Sequence, residues 1–274
     1  MSTKKKQHIF PIMFIIFIIL LSVILIMPCI IIPFEGVVEG LKGQRKTDIV
    51  CVIARYNEDL SWLDQEPFKQ CSFIIYNKGI NDNFYKPRNL LQIINLENLG
   101  RCDGTYIDHI VTNYNNLHDI TVFLPGSCDI DYKLKKAKIL IQVIMQSGHA
   151  VILARNIPNT QFTFFDFQMD DYQAAHTSNQ LLIKSSKLKP AITRPFGRWY
   201  HEMFGNLKIH HVAFGGIFSV DKEDIRNRPI TFYENLLDQL NQDSNPEVGH
   251  YVERSWAAIF HPLNNTEVLA YDAY

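Results

Sequence analysis

The sequence has no surplus of either charge: 27 Lys and Arg stand against 28 Asp and Glu, a formal net charge of −1. Neutralising phosphates along a nucleic acid takes an excess of basic residues, so no nucleic-acid partner is expected. The chain is not a disordered tail either, because 47% of its residues are hydrophobic. It lacks both the Walker glycine-lysine motif and G-x-G-x-x-G, which argues against a P-loop or a dinucleotide site. It also lacks C-x-x-C and Cys/His zinc spacings. Cys51, Cys71, Cys102 and Cys128 therefore form no recognisable metal site, and one disulfide among them is left open. His210 and His211 are adjacent, so along a strand they would point to opposite faces, a poor arrangement for one metal. A G-x-S-x-G nucleophile elbow is missing too, since Gly126 directly precedes Ser127 and Asp129 stands where the second glycine would be. No internal repeat or low-complexity tract is present.

Charge is absent locally as well. Ile9 to Phe34 carries none, and it exceeds the ~20 apolar residues that cross a bilayer. We expect a transmembrane anchor over 9–34 in preference to a cleaved signal peptide, whose apolar core is shorter. Lys4, Lys5 and Lys6 precede it, which by the positive-inside rule keeps residues 1–8 cytosolic and places the bulk of the chain in a lumenal or extracytoplasmic space. Residues 35–47, glycine-rich and charged, read as a stem. The expected single-pass type II topology would make Asn264, in Asn264-Asn265-Thr266, a usable glycosylation acceptor.

From Asp48 to Tyr274 the chain is long enough for one α/β domain. β-branched runs at 49–55, 72–77, 91–96, 120–124 and 150–155 read as strands. Between the third and fourth, Tyr106, Ile110, Val111 and Tyr114 recur at helical spacing. After the fourth, Leu134, Ala137, Ile141 and Ile144 share a helix face with lysines opposite. The alternation predicts a mostly parallel sheet flanked by helices, with ligands beyond the carboxyl ends of the strands. The last third is crowded with aromatic and histidine residues, which would serve either as the acceptor side of a cleft or as core. A helix is expected around 232–240 and a final one over 249–260.

Polar residues cluster where such strands end. Arg55 would meet a phosphate and Asn57 or Glu58 a base or ribose; alternatively Asn57 and Asp59 cap the next helix. Asn77, Lys78 and Gly79 end the second strand in ordinary turn chemistry, at a position that puts Lys78 near the same cleft. Asp129 and Asp131 are hard oxygen ligands at a spacing suited to Mg²⁺ or Mn²⁺, and equally first-turn residues of the following helix. Gly126 and Ser127 offer backbone N–H groups to a phosphate without a metal. Gly215 and Gly216 would let backbone approach a ligand closely, or mark a bulge.

The stretches ARYNEDLSWL, YNKG, ENLGRCDGTYIDHIVTNYNNL, DITVFLPGS, FGGIFSV, FYENLL and GHYVERSWAAIF together resemble the domain-of-unknown-function family 3431, itself similar to GT-A glycosyltransferases. The resemblance covers nearly all of 48–260. It implies a GT-A-like sheet flanked by helices, a nucleotide sugar as co-substrate, and the divalent cation, Mn or Mg, that such folds commonly hold as cofactor at an Asp-x-Asp pair. Arg101, in Asn98-Leu99-Gly100-Arg101, matches a family stretch and becomes the leading phosphate contact, with Asp103 beside it. His109 reads as a half-buried histidine. Glu253 stands where such folds carry the base that takes the acceptor's proton, with His250 on the acceptor side. Pairing with Arg254 is the structural alternative for Glu253. The expected function is a membrane-anchored transfer of sugar from a nucleotide sugar to a glycan, glycoprotein or glycolipid acceptor. The alternative is a non-catalytic sugar- or nucleotide-binding module of the same fold.

Overall fold

The computed structural model describes residues 47–157, 162–170, 188–208 and 210–271. The expected membrane helix and all but the last residue of the expected stem lie outside them; among the described residues no helix is long and apolar enough to cross a membrane. The strands are β1 (Ile49–Arg55), β2 (Ser72–Asn77), β3 (Leu90–Asn95), β4 (Ile120–Pro125), β5 (Ala150–Asn156), β6 (His211–Val212), β7 (Phe218–Asp221) and β8 (Thr266–Ala270). The helices are α1 (Arg101–Asn113), α2 (Asp131–Ser147), α3 (Phe162–Phe165), α4 (Phe196–Phe204), α5 (Lys222–Arg226), α6 (Ile230–Leu240), α7 (Glu247–Glu253) and α8 (Trp256–Ile259).

β1 and β4 are continuous apolar runs, buried on both faces as strands in the middle of a parallel sheet must be. The main sheet has the order β3-β2-β1-β4-β7, with the first four parallel and β7 antiparallel to β4. Alternation along β1 divides the core. Val50, Val52 and Ala54 face Ile107 and Ile110 of α1, whereas Cys51 and Ile53 face Leu140 and Ile141 of α2, together with Trp62 and Phe68. The sheet is thus flanked by helices on both sides, and the mixed α/β class read from the sequence holds.

Two expectations are corrected. β5 does not extend the main sheet: it pairs with β8 in parallel and β6 antiparallel, in a separate three-stranded sheet. The reason is that β7 returns to occupy the free edge of β4. β5 meets β7 through a side chain, the Ser219 hydroxyl, which donates to the Val151 carbonyl at 2.9 Å and accepts from its N–H at 2.6 Å. The final helix is also two helices, α7 and α8. At the break the Ser255 hydroxyl donates to the Tyr251 carbonyl four residues back (2.8 Å), a local bond that competes with helix continuation.

The described aromatic residues of the last third mostly build core. Phe165 stacks on Phe196, and Trp256 packs against Phe218 and Phe260. One buried carboxylate organises this region. Glu247, in the first turn of α7 and fully buried, accepts from Met169 N–H (2.8 Å), Ala191 N–H (2.8 Å) and the Tyr251 hydroxyl (3.0 Å), and pairs with Arg194 Nε (2.8 Å). Two separate chain segments are thereby tied to one helix start, where a negative charge is also favoured by the dipole. Removing it leaves two amide donors and the Tyr251 hydroxyl without their acceptor, and Arg194 with Asp170 as its remaining carboxylate. Glu247→Ala should therefore lower stability by roughly 3 kcal/mol or more, read by denaturant unfolding. A loss under ~1 kcal/mol would show that the carboxylate ties nothing together.

Candidate functional site

Because β1 to β4 run the same way, their carboxyl ends share one edge, and the strand order reverses between β1 and β4. Three sequence-predicted residues there hold the edge together. Arg55 is buried; its Nε donates to the Glu58 carbonyl (2.9 Å), and Nη1 to the Asn77 side chain and the Asn81 carbonyl (3.0 Å), with the guanidinium over the Phe84 ring at 3.9 Å. Asn77 donates in turn to Gly79 and Asp82. The Glu58 carboxylate folds back to accept from the Tyr56 and Asn57 N–H groups (2.7 and 3.1 Å). Neither Asn57 nor Asp59 caps the following 3-10 turn, whose N-cap is Leu60 without a side-chain bond. Gly79 is required for packing, since a Cβ there would lie 1.7 Å from the Tyr56 carbonyl oxygen. Arg55, Asn77 and Glu58 are thus engaged in bracing the loops beneath any ligand.

A second group of predicted residues converges at the start of α1. Gly100 and Arg101 both adopt left-handed backbone, at φ +66 and +53, and Arg101 is the only described non-glycine residue to do so. For an arginine this costs about 1–2 kcal/mol. The Lys78 ammonium donates to the Leu99 carbonyl and, at 2.6 Å, to the Arg101 carbonyl, fixing the strained turn; burial pushes that amine down to about 8. The turn sends the Arg101 side chain to His250, whose imidazole it contacts. Gly249 packs against it, its would-be Cβ at an ordinary contact distance of 3.5 Å from Arg101 Cδ. Burial and the adjacent Arg101 push His250 down to about 4, so the ring is neutral and acts as an acceptor.

Two carboxylates complete this group. Asp103 is buried, with Oδ1 lacking any hydrogen-bond partner, and burial together with Glu253 pushes it up to about 7. Glu253 is a fifth exposed. Burial alone would raise its carboxyl too, but His250, Arg101 and the Gly215 N–H (2.7 Å) outweigh this and hold it at about 2. One carboxyl thus keeps a proton while the other is ionised, as expected of two acids in one buried site. Gly215 and Gly216 form a left-handed turn (φ 89 and 64) leading to β7 and resting on α1, with the Gly216 carbonyl accepting from the Tyr106 hydroxyl. Arg254 does not serve as the close partner of Glu253; it lies 3.4 Å over the Phe167 ring and donates to the His250 carbonyl.

Sequence reasoning missed two members. Lys133 donates to the Ser127 hydroxyl at 2.8 Å, and Lys136, expected on the solvent face, is 2% exposed and donates to the Phe214 carbonyl at 2.8 Å. Burial pushes the Lys136 amine down to about 8, against the pull of Glu253. The i, i+3, i+7 series Lys133, Lys136, Leu140 was the available signal, because it shares a face with apolar residues. Cys102 is the common neighbour: burial and the charges of Asp103 and Glu253 raise its thiol, opposed by Arg101 and Lys133.

The other predicted residues lie apart from this group. Asp129 and Asp131 are exposed; α2 takes Ile130 as N-cap with no side-chain cap, and Asp131 sits in its first turn. No group of three or more potential metal-ligating side chains occurs among the described residues. Gly126 is packed under Glu58 and accepts from Trp62 Nε1 (3.0 Å). His109 is fully buried and bonded to the Tyr76 hydroxyl at 2.9 Å. Asn264 is exposed. All four described cysteines are free, so the open disulfide is not formed among them.

The raised Asp103 makes a signed prediction. Its folded pKa lies above the unfolded value near 3.8, so its contribution is complete below about 3.8 and is lost as pH rises through about 7. Asp103→Asn cannot ionise. The melting temperature of the variant relative to wild type should therefore climb steadily over that window; a flat difference would mean that Asp103 is already ionised at low pH.

No curated protein matches the chain. The family model described as "Protein of unknown function (DUF3431)" matches residues 50–270, most of the sequence and all of the site above, and the chain belongs to that family.

Proposed function

We propose that the protein is a GT-A-like glycosyltransferase that moves a sugar from a nucleotide-sugar donor to a hydroxyl of a glycan, glycoprotein or glycolipid, its domain carried on an N-terminal membrane anchor. The observation that carries this reading is the convergence, at the carboxyl edge of a parallel sheet, of one ionised and one protonated carboxyl with Arg101, Lys133 and Lys136. Cations beside an acid–base pair are what a displacement at a sugar phosphate needs: charge to steady the leaving group and a carboxylate to receive a proton.

In this reading the acceptor hydroxyl attacks the anomeric carbon, the bond from that carbon to the diphosphate oxygen breaks, and the nucleoside diphosphate leaves with the electron pair. The hydroxyl proton passes to Glu253, the more exposed of the two carboxyls. A carboxylate held near 2 is a weak base while Arg101 supports it. A donor phosphate that draws Arg101 to itself would remove part of that support and raise Glu253 toward a useful basicity. Asp103 behind it, pushed up to about 7, holds its proton below neutral pH and keeps the pair at a single negative charge there.

The test is a panel of nucleotide sugars offered to the purified full chain, with melting temperature and product formation both followed. One nucleotide sugar should raise the melting temperature, by an amount equivalent to ~2.7 kcal/mol at a hundredfold over Kd. Glu253→Gln should keep that shift and lose ~10²–10⁴ in turnover. A shift without transfer to any acceptor would identify a binding module, and no shift with any nucleotide sugar would end the transferase reading.

A further inference from the structure

Arg254, one residue beyond Glu253 at the end of α7, is held in place by three contacts. Its guanidinium carbon lies 3.4 Å from the centre of the Phe167 ring and 5.3 Å from that of Phe214, and Nη1 donates to the His250 carbonyl at 3.0 Å. A guanidinium carries five N–H donors in a fixed plane. Among the described residues those on Nε and Nη2 meet no acceptor, and no carboxylate pairs with this charge at contact distance. Nor are these two nitrogens enclosed, because Arg254 is only half-buried. Nε–H and Nη2–H point the same way along one edge, the fork that matches the two oxygens of a carboxylate. The contacts also set this guanidinium beside the proposed base. Phe214 leads into Gly215, whose N–H donates to Glu253 at 2.7 Å, and His250, which accepts from Arg254 through its carbonyl, has Nδ1 3.9 Å from the other Glu253 oxygen. A cation partly stripped of water by two rings gains more from an anion that arrives with the ligand than from a neutral hydroxyl.

We propose that Arg254 determines the class of acceptor: its Nε–Nη2 edge holds the carboxylate of an acidic sugar and so presents a hydroxyl of that sugar to Glu253. Phe167, under the guanidinium, fixes the plane of the fork. The proposal names a substrate class for the site above and rests on the transferase reading for the reaction, while the carboxylate subsite stands on the contacts of Arg254.

The experiment measures, by calorimetry on the full chain, binding of the methyl glycosides of glucuronic, galacturonic and sialic acids, each beside its carboxamide, which has the same shape and no charge. At least one acid should bind ~10-fold or more tightly than its amide, since a charge-assisted fork is gained. This comparison needs no variant, so it holds even where a substitution harms folding. Arg254→Gln should abolish the preference, and Arg254→Lys, which keeps the charge without the fork, should retain a small part of it. Arg88→Gln, exposed ahead of β3, should change nothing. No acid preferred over its amide, a preference unchanged in Arg254→Gln, or glucose 6-phosphate bound more tightly than every acid would overturn the proposal. Transfer to neutral acceptors alone, with the same KM in Arg254→Gln, keeps the transferase reading and ends this one; an acid held through Arg254 with no nucleotide sugar bound keeps the carboxylate subsite and ends the transferase reading.

Discussion

Two carboxyl groups and the cations around them set the terms for the rest of the carboxyl edge. Asp103 and Glu253 oppose each other's ionisation, and the arrangement resolves this by asymmetry. Glu253 receives the Gly215 N–H and the field of Arg101; Asp103 has an oxygen that nothing bonds. The asymmetry depends on where Arg101 points, which depends on a left-handed arginine that would relax without help. Lys78 supplies the help by holding the carbonyls on either side of Gly100, so a lysine at the end of β2 governs the charge state of a carboxylate at the end of α7. The chain of cause runs from a strand end, through backbone strain, to an acid–base pair.

A cluster of this kind needs a rigid frame, because buried charges relax by moving. The frame is itself polar. Arg55 and Asn77 bind the ends of β1 and β2 into one block, and the Glu58 carboxylate satisfies two amides of the loop after β1. On the far side Glu247 collects two chain segments at the start of α7, the helix that ends in Glu253. Each of these side chains is largely consumed by intramolecular bonds. Such groups stabilise only while every partner is present, which makes the edge stiff and its residues hard to exchange.

Much of the fold was legible because its signals are local. Continuous apolar runs marked β1, β2, β4 and β5, and helical spacing marked α1, α2 and α6. What could not be read was pairing. That β7 would return to the edge of β4, and so divert β5 into a second sheet, depends on contacts between residues far apart in sequence, with Ser219 replacing a ladder bond. Site residues divided the same way. Arg101, Asp103, His250, Gly215 and Glu253, scattered along the chain, were named from position and resemblance, and they do meet. Arg55 had the same apparent credentials, an arginine at a strand end, yet its guanidinium bonds to the loops. Sequence gives the location of such a side chain and says nothing about whether neighbours have already used its donors.

Lys136 illustrates the converse. A lysine between apolar positions on an amphipathic helix reads as a boundary residue whose stem snorkels to water. Here it stays inside, with one hydrogen bond, to the Phe214 carbonyl, and with the charge of Glu253 offsetting part of the cost of burial. Burial holds the amine down at about 8, so near neutral pH the site carries its positive charge against a desolvation penalty. The lysine and the carboxylate answer to one charge balance: Glu253 draws the amine back toward its protonated form while burial opposes it, so a change that removes the carboxylate's charge also lowers the amine's affinity for its proton.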